Sequence, residues 1–208
     1  MHRCRSVRPL LALTSVCLGS GCMSVEIDET DRDAIFLEGR VRKTLDGTDD
    51  PSGPHLELGW TSVQGETEAL DYSISVATLG AGTGILVGEQ GWFGLAAGIA
   101  WQMNDLDPSA VELDADDDLG PYFALEGGWR ATSWLEPYAR ADATVYLNEY
   151  ASTTGFEAGA RLHVIEHTAL FLGWRWAQYK IDDVDSLLGI SEFELDASGL
   201  IVGLDVHF

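Results

Sequence analysis

The stretch Gly199-Leu-Ile-Val-Gly-Leu-Asp-Val-His-Phe208 decides the reading of this chain. Its even positions, Leu200, Val202, Leu204, Val206 and Phe208, are all apolar. Gly199, Gly203, Asp205 and His207 alternate with them as small or polar residues, and Ile201 is the single exception. A period of two puts one set on each face of a β-strand. The strand ends on an aromatic residue, at the last position given.

The same period recurs toward the N-terminus. Leu170, Leu172, Trp174 and Trp176 stand opposite Gly173, Arg175 and Tyr179. Phe156, Ala158, Ala160, Leu162 and Val164 stand opposite Glu157, Arg161 and His163. Residues 135–147 oppose Leu135, Ala139, Ala141 and Val145 to Glu136, Arg140 and Asp142, and residues 120–130 oppose Phe123, Leu125 and Trp129 to Tyr122, Glu126 and Arg130. Residues 92–103 set Phe93, Leu95, Ile99 and Trp101 against Gly94, Ala96, Gly98 and Gln102, and residues 55–63 turn Leu56, Leu58 and Trp60 outward. Charge sits repeatedly on the face opposite an unbroken apolar one, in segments of membrane-strand length. Between residues 72 and 87 the phase changes near 77–84, where glycines predict a bulge or kink.

Turns near 88–91, 130–134 and 164–168 are short, whereas 104–119, 148–153 and 182–194 read as longer, mostly acidic loops. That asymmetry, with the strands and Gly-x-x-aromatic repeats such as Gly127-Gly128-Trp129, resembles the small outer-membrane β-barrels of the OmpA and OmpW type. The last strand, Leu200 to Phe208, is similar to the C-terminal signal by which such barrels are recognised for assembly. The resemblance implies an all-β, single antiparallel up-and-down transmembrane barrel over residues 55–208, with eight strands and ten as the alternative. It places Phe208 on the periplasmic side. Bacterial barrels favour even strand numbers, so the alternating residues 34–43, with Ile35, Leu37 and Val41 on one side, are read as a periplasmic or lumen-plugging segment.

On this register the lumen holds Glu57, Glu126, Glu136, Asp142, Glu157 and Asp205 with Arg130, Arg140, Arg161 and Arg175. An unpaired buried charge is costly, so these are expected to pair and brace the barrel. The outward tryptophans Trp60, Trp101, Trp129, Trp134, Trp174 and Trp176 fit interfacial girdles.

At the other end, Arg3, Arg5 and Arg8 precede a short apolar core at 9–18 and then Gly19-Ser-Gly-Cys22. This is similar to a bacterial lipoprotein signal, spanning 1–21 with Cys22 as the acylated N-terminus. An ordinary secretory signal cut near the same point is the alternative. Residues 22–54 then form a polar tether and N-terminal segment, with the Cys22 lipid in the inner leaflet of the outer membrane beside the barrel's periplasmic end. Cys4 and Cys17 lie inside the signal, so no disulfide is expected in the exported chain.

The formal charge of −22 argues against nucleic-acid binding. Residues 105–118 carry seven carboxylates, among them Asp114, Asp116 and Asp118, a weak candidate for Ca²⁺ that lacks the full ligand spacing of an EF-hand. No Gly-x-Ser-x-Gly, no Cys/His metal spacing and no phosphate loop occurs. The expectation is a non-enzymatic protein without a cofactor in the outer membrane of a Gram-negative-type bacterium. Its partners would be outer-membrane lipids, the assembly machinery and divalent cations at the acidic loops. Its role would be structural or surface-interacting, with a filled lumen. The alternatives are a narrow channel for small solutes, a lipid-modifying barrel enzyme and a lipocalin-like periplasmic lipoprotein with its apolar faces inward.

Overall fold

The computed structural model describes residues 25–45, 53–66, 70–108, 118–147, 151–185 and 190–208. Nine strands close into one barrel: β1 (Val25–Thr44), β2 (His55–Glu66), β3 (Leu70–Val87), β4 (Gly91–Pro108), β5 (Asp118–Trp129), β6 (Leu135–Val145), β7 (Ser152–Ile165), β8 (Thr168–Asp185) and β9 (Ile190–His207). Each strand pairs antiparallel with the next. An up-and-down meander with an odd number of strands brings its first and last strands together in the same direction, and β1 accordingly pairs parallel with β9.

The count is therefore nine, where the even-number rule led to eight or ten. The additional strand is β1, the segment expected as a tether or plug. From Ile35 to Arg42 its alternation is regular: Ile35, Leu37 and Val41 are exposed, whereas Phe36, Glu38, Arg40 and Arg42 are buried. Two strand edges flank it, and its backbone groups pair with both. The final residue is stitched to the same strand. The Phe208 N–H donates to the Arg42 carbonyl, and the Thr44 N–H donates to the Phe208 carbonyl, both at 2.9 Å.

Parallel closure also fixes where β1 begins. Val25 lies beside Ile190, at the end of the barrel away from Phe208. An N-terminal start beside the C-terminal end, expected from an even strand count, is thereby corrected.

The expected bulge in β3 is absent, since its pairing with β4 runs without a shift from Leu70 to Val87. What changes along β3 is the cargo of the inner face. Ile74 and Val76 face inward near one end, and Gly80, Gly82 and Gly84 take those positions near the other. Two of the expected long loops are strand in part, because β4 runs on to Pro108 and β8 to Asp185. The short turn after β3 uses Gly88 at φ 71°, a left-handed conformation that glycine adopts at no steric cost.

The strands carry two opposite patterns along their length. Toward the Phe208 end the outer face is apolar, as at Leu58, Ile85, Phe93, Leu95, Ile99, Phe123, Leu125, Leu172 and Leu204, and the inner face is charged. Toward the far end the pattern inverts on the taller strands. Phe36, Val63, Ile74, Tyr179 and Leu195 are fully buried inside, whereas Gln64, Glu66, Asp71 and Asp105 are exposed outside. On the outer face there, Gln178 donates to Glu194 at 2.6 Å and Lys180 pairs with Glu194 at 2.7 Å.

Candidate functional site

The lumen of the lower barrel is the candidate site. Period two on seven strands brings carboxylates and guanidiniums into one layered cluster. Glu57, Glu126, Glu136, Arg140, Glu157, Arg161, Arg175 and Asp205 are all buried there, and Asp142 is half-buried. Arg130 is not among them: it sits on the rim, half exposed, 3.8 Å from Glu136. Its place after the last residue of β5 takes it past the end of the wall.

Glu157 accepts from two arginines, Arg40 and Arg175, the latter at 2.9 Å. Arg175 also donates to Asp142 at 3.0 Å. Glu126 stands at a convergence of cations and accepts from Arg42, Arg140 and Arg161, with the Arg140 bond at 2.8 Å. Arg161 reaches Glu136 at 3.0 Å and lies 3.4 Å from Asp205. Two aromatic side chains join the network, with Trp92 Nε1 donating to Glu136 and the Tyr122 hydroxyl donating to Glu57, each at 3.2 Å. Arg161 also packs over the Tyr138 ring at 4.4 Å, and Arg40 over Phe171 at 5.0 Å. A guanidinium suits such a place because its planar fork serves several carboxylates and stacks on rings.

Sequence reasoning missed Glu38, Arg40 and Arg42, which come from β1. Their signal was present as charges facing away from Ile35, Leu37 and Val41. It lost its weight when the segment was set outside the wall. Without β1 the lumen would hold six buried or half-buried carboxylates against three arginines; Glu38, Arg40 and Arg42 bring this to seven against five.

Glycines make the room that these long side chains need. The Arg175 guanidinium lies over Gly155, where an added Cβ would meet Nη2 at 2.5 Å. Phe171 covers Gly203, where a Cβ would come within 2.1 Å of its ring and 2.4 Å of the Glu38 carbonyl oxygen.

Little space remains. One void, lined by Glu38, Arg40, Glu57, Arg140 and Arg175 among others, has a volume of about 30 Å³, and one at the Phe208 end, beside His163, His167 and His207, about 40 Å³. Each suits a few waters at roughly 10–15 Å³ apiece. Above the charged cluster the apolar inner faces close the barrel. Tyr146, beyond the end of β6, is buried there, 3.3 Å from the Thr153 hydroxyl, which donates to Gln102 at 2.6 Å. Burial pushes the Tyr146 hydroxyl well above its ordinary pKa.

Among the other residues singled out in the sequence, Leu200, Val202 and Leu204 face outward and are exposed, Val206 is half-buried and Phe208 is exposed. Trp60, Trp101, Trp129, Trp134 and Trp174 are exposed on the outer surface, and Trp176 is half-buried. Cys22, Asp114 and Asp116 lie outside the described residues. Asp118 opens β5 and is buried inside, opposite Gln102, which takes it off the acidic loop. No group of His, Cys, Asp and Glu among the described residues is arranged to hold a metal ion.

Comparisons of the chain with protein-family models, with curated proteins and with solved structures return no match.

Proposed function

We propose that the protein is a non-enzymatic outer-membrane barrel whose ion-paired lumen is filled, with a structural or surface-interaction role carried by its tall polar rim. The observation that carries the reading is the inversion along the strands. A soluble barrel keeps its apolar side chains inside throughout, as the far half of this one does. The near half has its apolar side chains outside and its charges inside, which is favourable where lipid is the outer solvent. On β4 the apolar outer face runs from Phe93 to Trp101. Nine residues at about 3.3 Å each, tilted by roughly 40°, span about 23 Å, close to the roughly 25 Å apolar band of membrane barrels. β4 then continues to Pro108, so the wall rises beyond the bilayer.

The filled lumen supports a role other than transport, because a conducting path would need the Glu126 and Glu157 layers to part. Full-length protein purified in detergent and placed in planar lipid bilayers tests this. The expected record shows no steady single-channel conductance. A reproducible unitary conductance would replace the structural role with that of a narrow channel for small solutes.

A further inference from the structure

The route of the chain into the barrel carries a consequence for the surface that the protein displays. β1 runs parallel to β9, so the chain enters the wall at one end and leaves it, at Phe208, at the other. The first strand begins well inside the inverted half. Asp31 is buried there with the Tyr72 hydroxyl donating to it at 2.7 Å, and Thr30, Arg32 and Asp33 lie on the exposed outer side. From Glu29 onward, where side-chain exposure is described, its first exposed large apolar residue is Ile35. Ten residues separate Val25 from Ile35, roughly 33 Å of extended strand, so β1 starts far above the apolar belt.

We infer that the N-terminal segment of the exported chain is displayed on the outer face of the membrane, on the same rim as the β4–β5 and β8–β9 hairpins. The inference rests on the membrane-barrel reading with Phe208 at the periplasmic end. Two independent features agree on it: the direction of closure and the inversion of the two faces along β1. Residue 22 stands three positions before Val25, at most about 10 Å of chain. A group attached there is thus presented at the outer rim, and not beside the periplasmic turns. The outer side of β1 there carries Thr30, Arg32 and Asp33, on the same rim as the exposed Asp105 of β4.

Thiol labelling in intact cells tests this sidedness. Single cysteines are added to the full-length protein at Thr30 on β1, at Asp105 on the same rim and at Glu89 in the turn after β3, all three exposed positions, and the unsubstituted protein gives the labelling background. A membrane-impermeant maleimide is applied before and after permeabilisation. Thr30→Cys and Asp105→Cys are expected to label in intact cells as fully as in permeabilised ones, and Glu89→Cys only after permeabilisation. Labelling of Asp105→Cys but not Thr30→Cys in intact cells would overturn the inference while leaving the membrane barrel standing. Protection of Asp105→Cys in intact cells would remove the membrane orientation and the inference together.

Discussion

At the scale of single residues, the lower barrel depends on carboxylates that each serve more than one guanidinium. Taking an ion from water into a protein interior costs several kcal/mol even after relaxation, and only close partners with good hydrogen bonds offset that. Glu157 illustrates the balance. It is fully buried and holds Arg40 from β1 and Arg175 from β8 at once. Replacing it with Ala would leave two guanidiniums short of their shared counter-charge inside the barrel. Glu157→Ala is expected to destabilise the folded protein by about 3–5 kcal/mol, the usual penalty for breaking a buried pair from one side. Denaturant unfolding in detergent micelles reads this as a lower midpoint. An unchanged midpoint would mean that the network does not brace the wall.

At the scale of elements, β1 is where the reading from sequence and the structure part. The later strands were legible because each shows unbroken alternation with charge on the opposite face, as in residues 154–164 and 199–208. Residues 34–43 show the same alternation, yet what makes them a wall strand is their pairing with β2 on one side and with the distant β9 on the other. Contacts that far apart in sequence leave no local signature, so a rule about even strand numbers decided the matter wrongly. The same cause hid Arg40 and Arg42 from the predicted lumen. In β3 the opposite error arose. A run of inward glycines moved the apolar residues from one face to the other and imitated a bulge, although the backbone register never shifts. A proline separates the two views of β1, because it removes a ladder hydrogen bond and is excluded from the middle of a sheet. Leu37→Pro is expected to abolish the folded barrel on unboiled gels, whereas Leu37→Ala retains it. A tether or plug would tolerate the proline; a normal folded fraction for Leu37→Pro would therefore return β1 to that role.

At the scale of the whole molecule, one barrel carries two opposite surface patterns, which the membrane reading takes as two solvents. The half near Phe208 turns tryptophans and aliphatic residues outward over an ion-paired interior, and the far half packs tyrosine, phenylalanine and leucine inside a polar exterior. The junction between these patterns defines the height at which an apolar medium should end. Charge follows the same division among the described residues, with Glu66, Asp71 and Asp105 exposed toward the far end. The closed hydrogen-bonded wall leaves no unpaired strand edge among the described residues. The most direct measurement of this account is the migration of the full-length protein from fractionated membranes on SDS gels, with and without boiling. The account predicts recovery in the outer-membrane fraction and a folded form in the unboiled sample whose mobility shifts on heating. Recovery as a peripheral protein, with no shift on boiling, would contradict it.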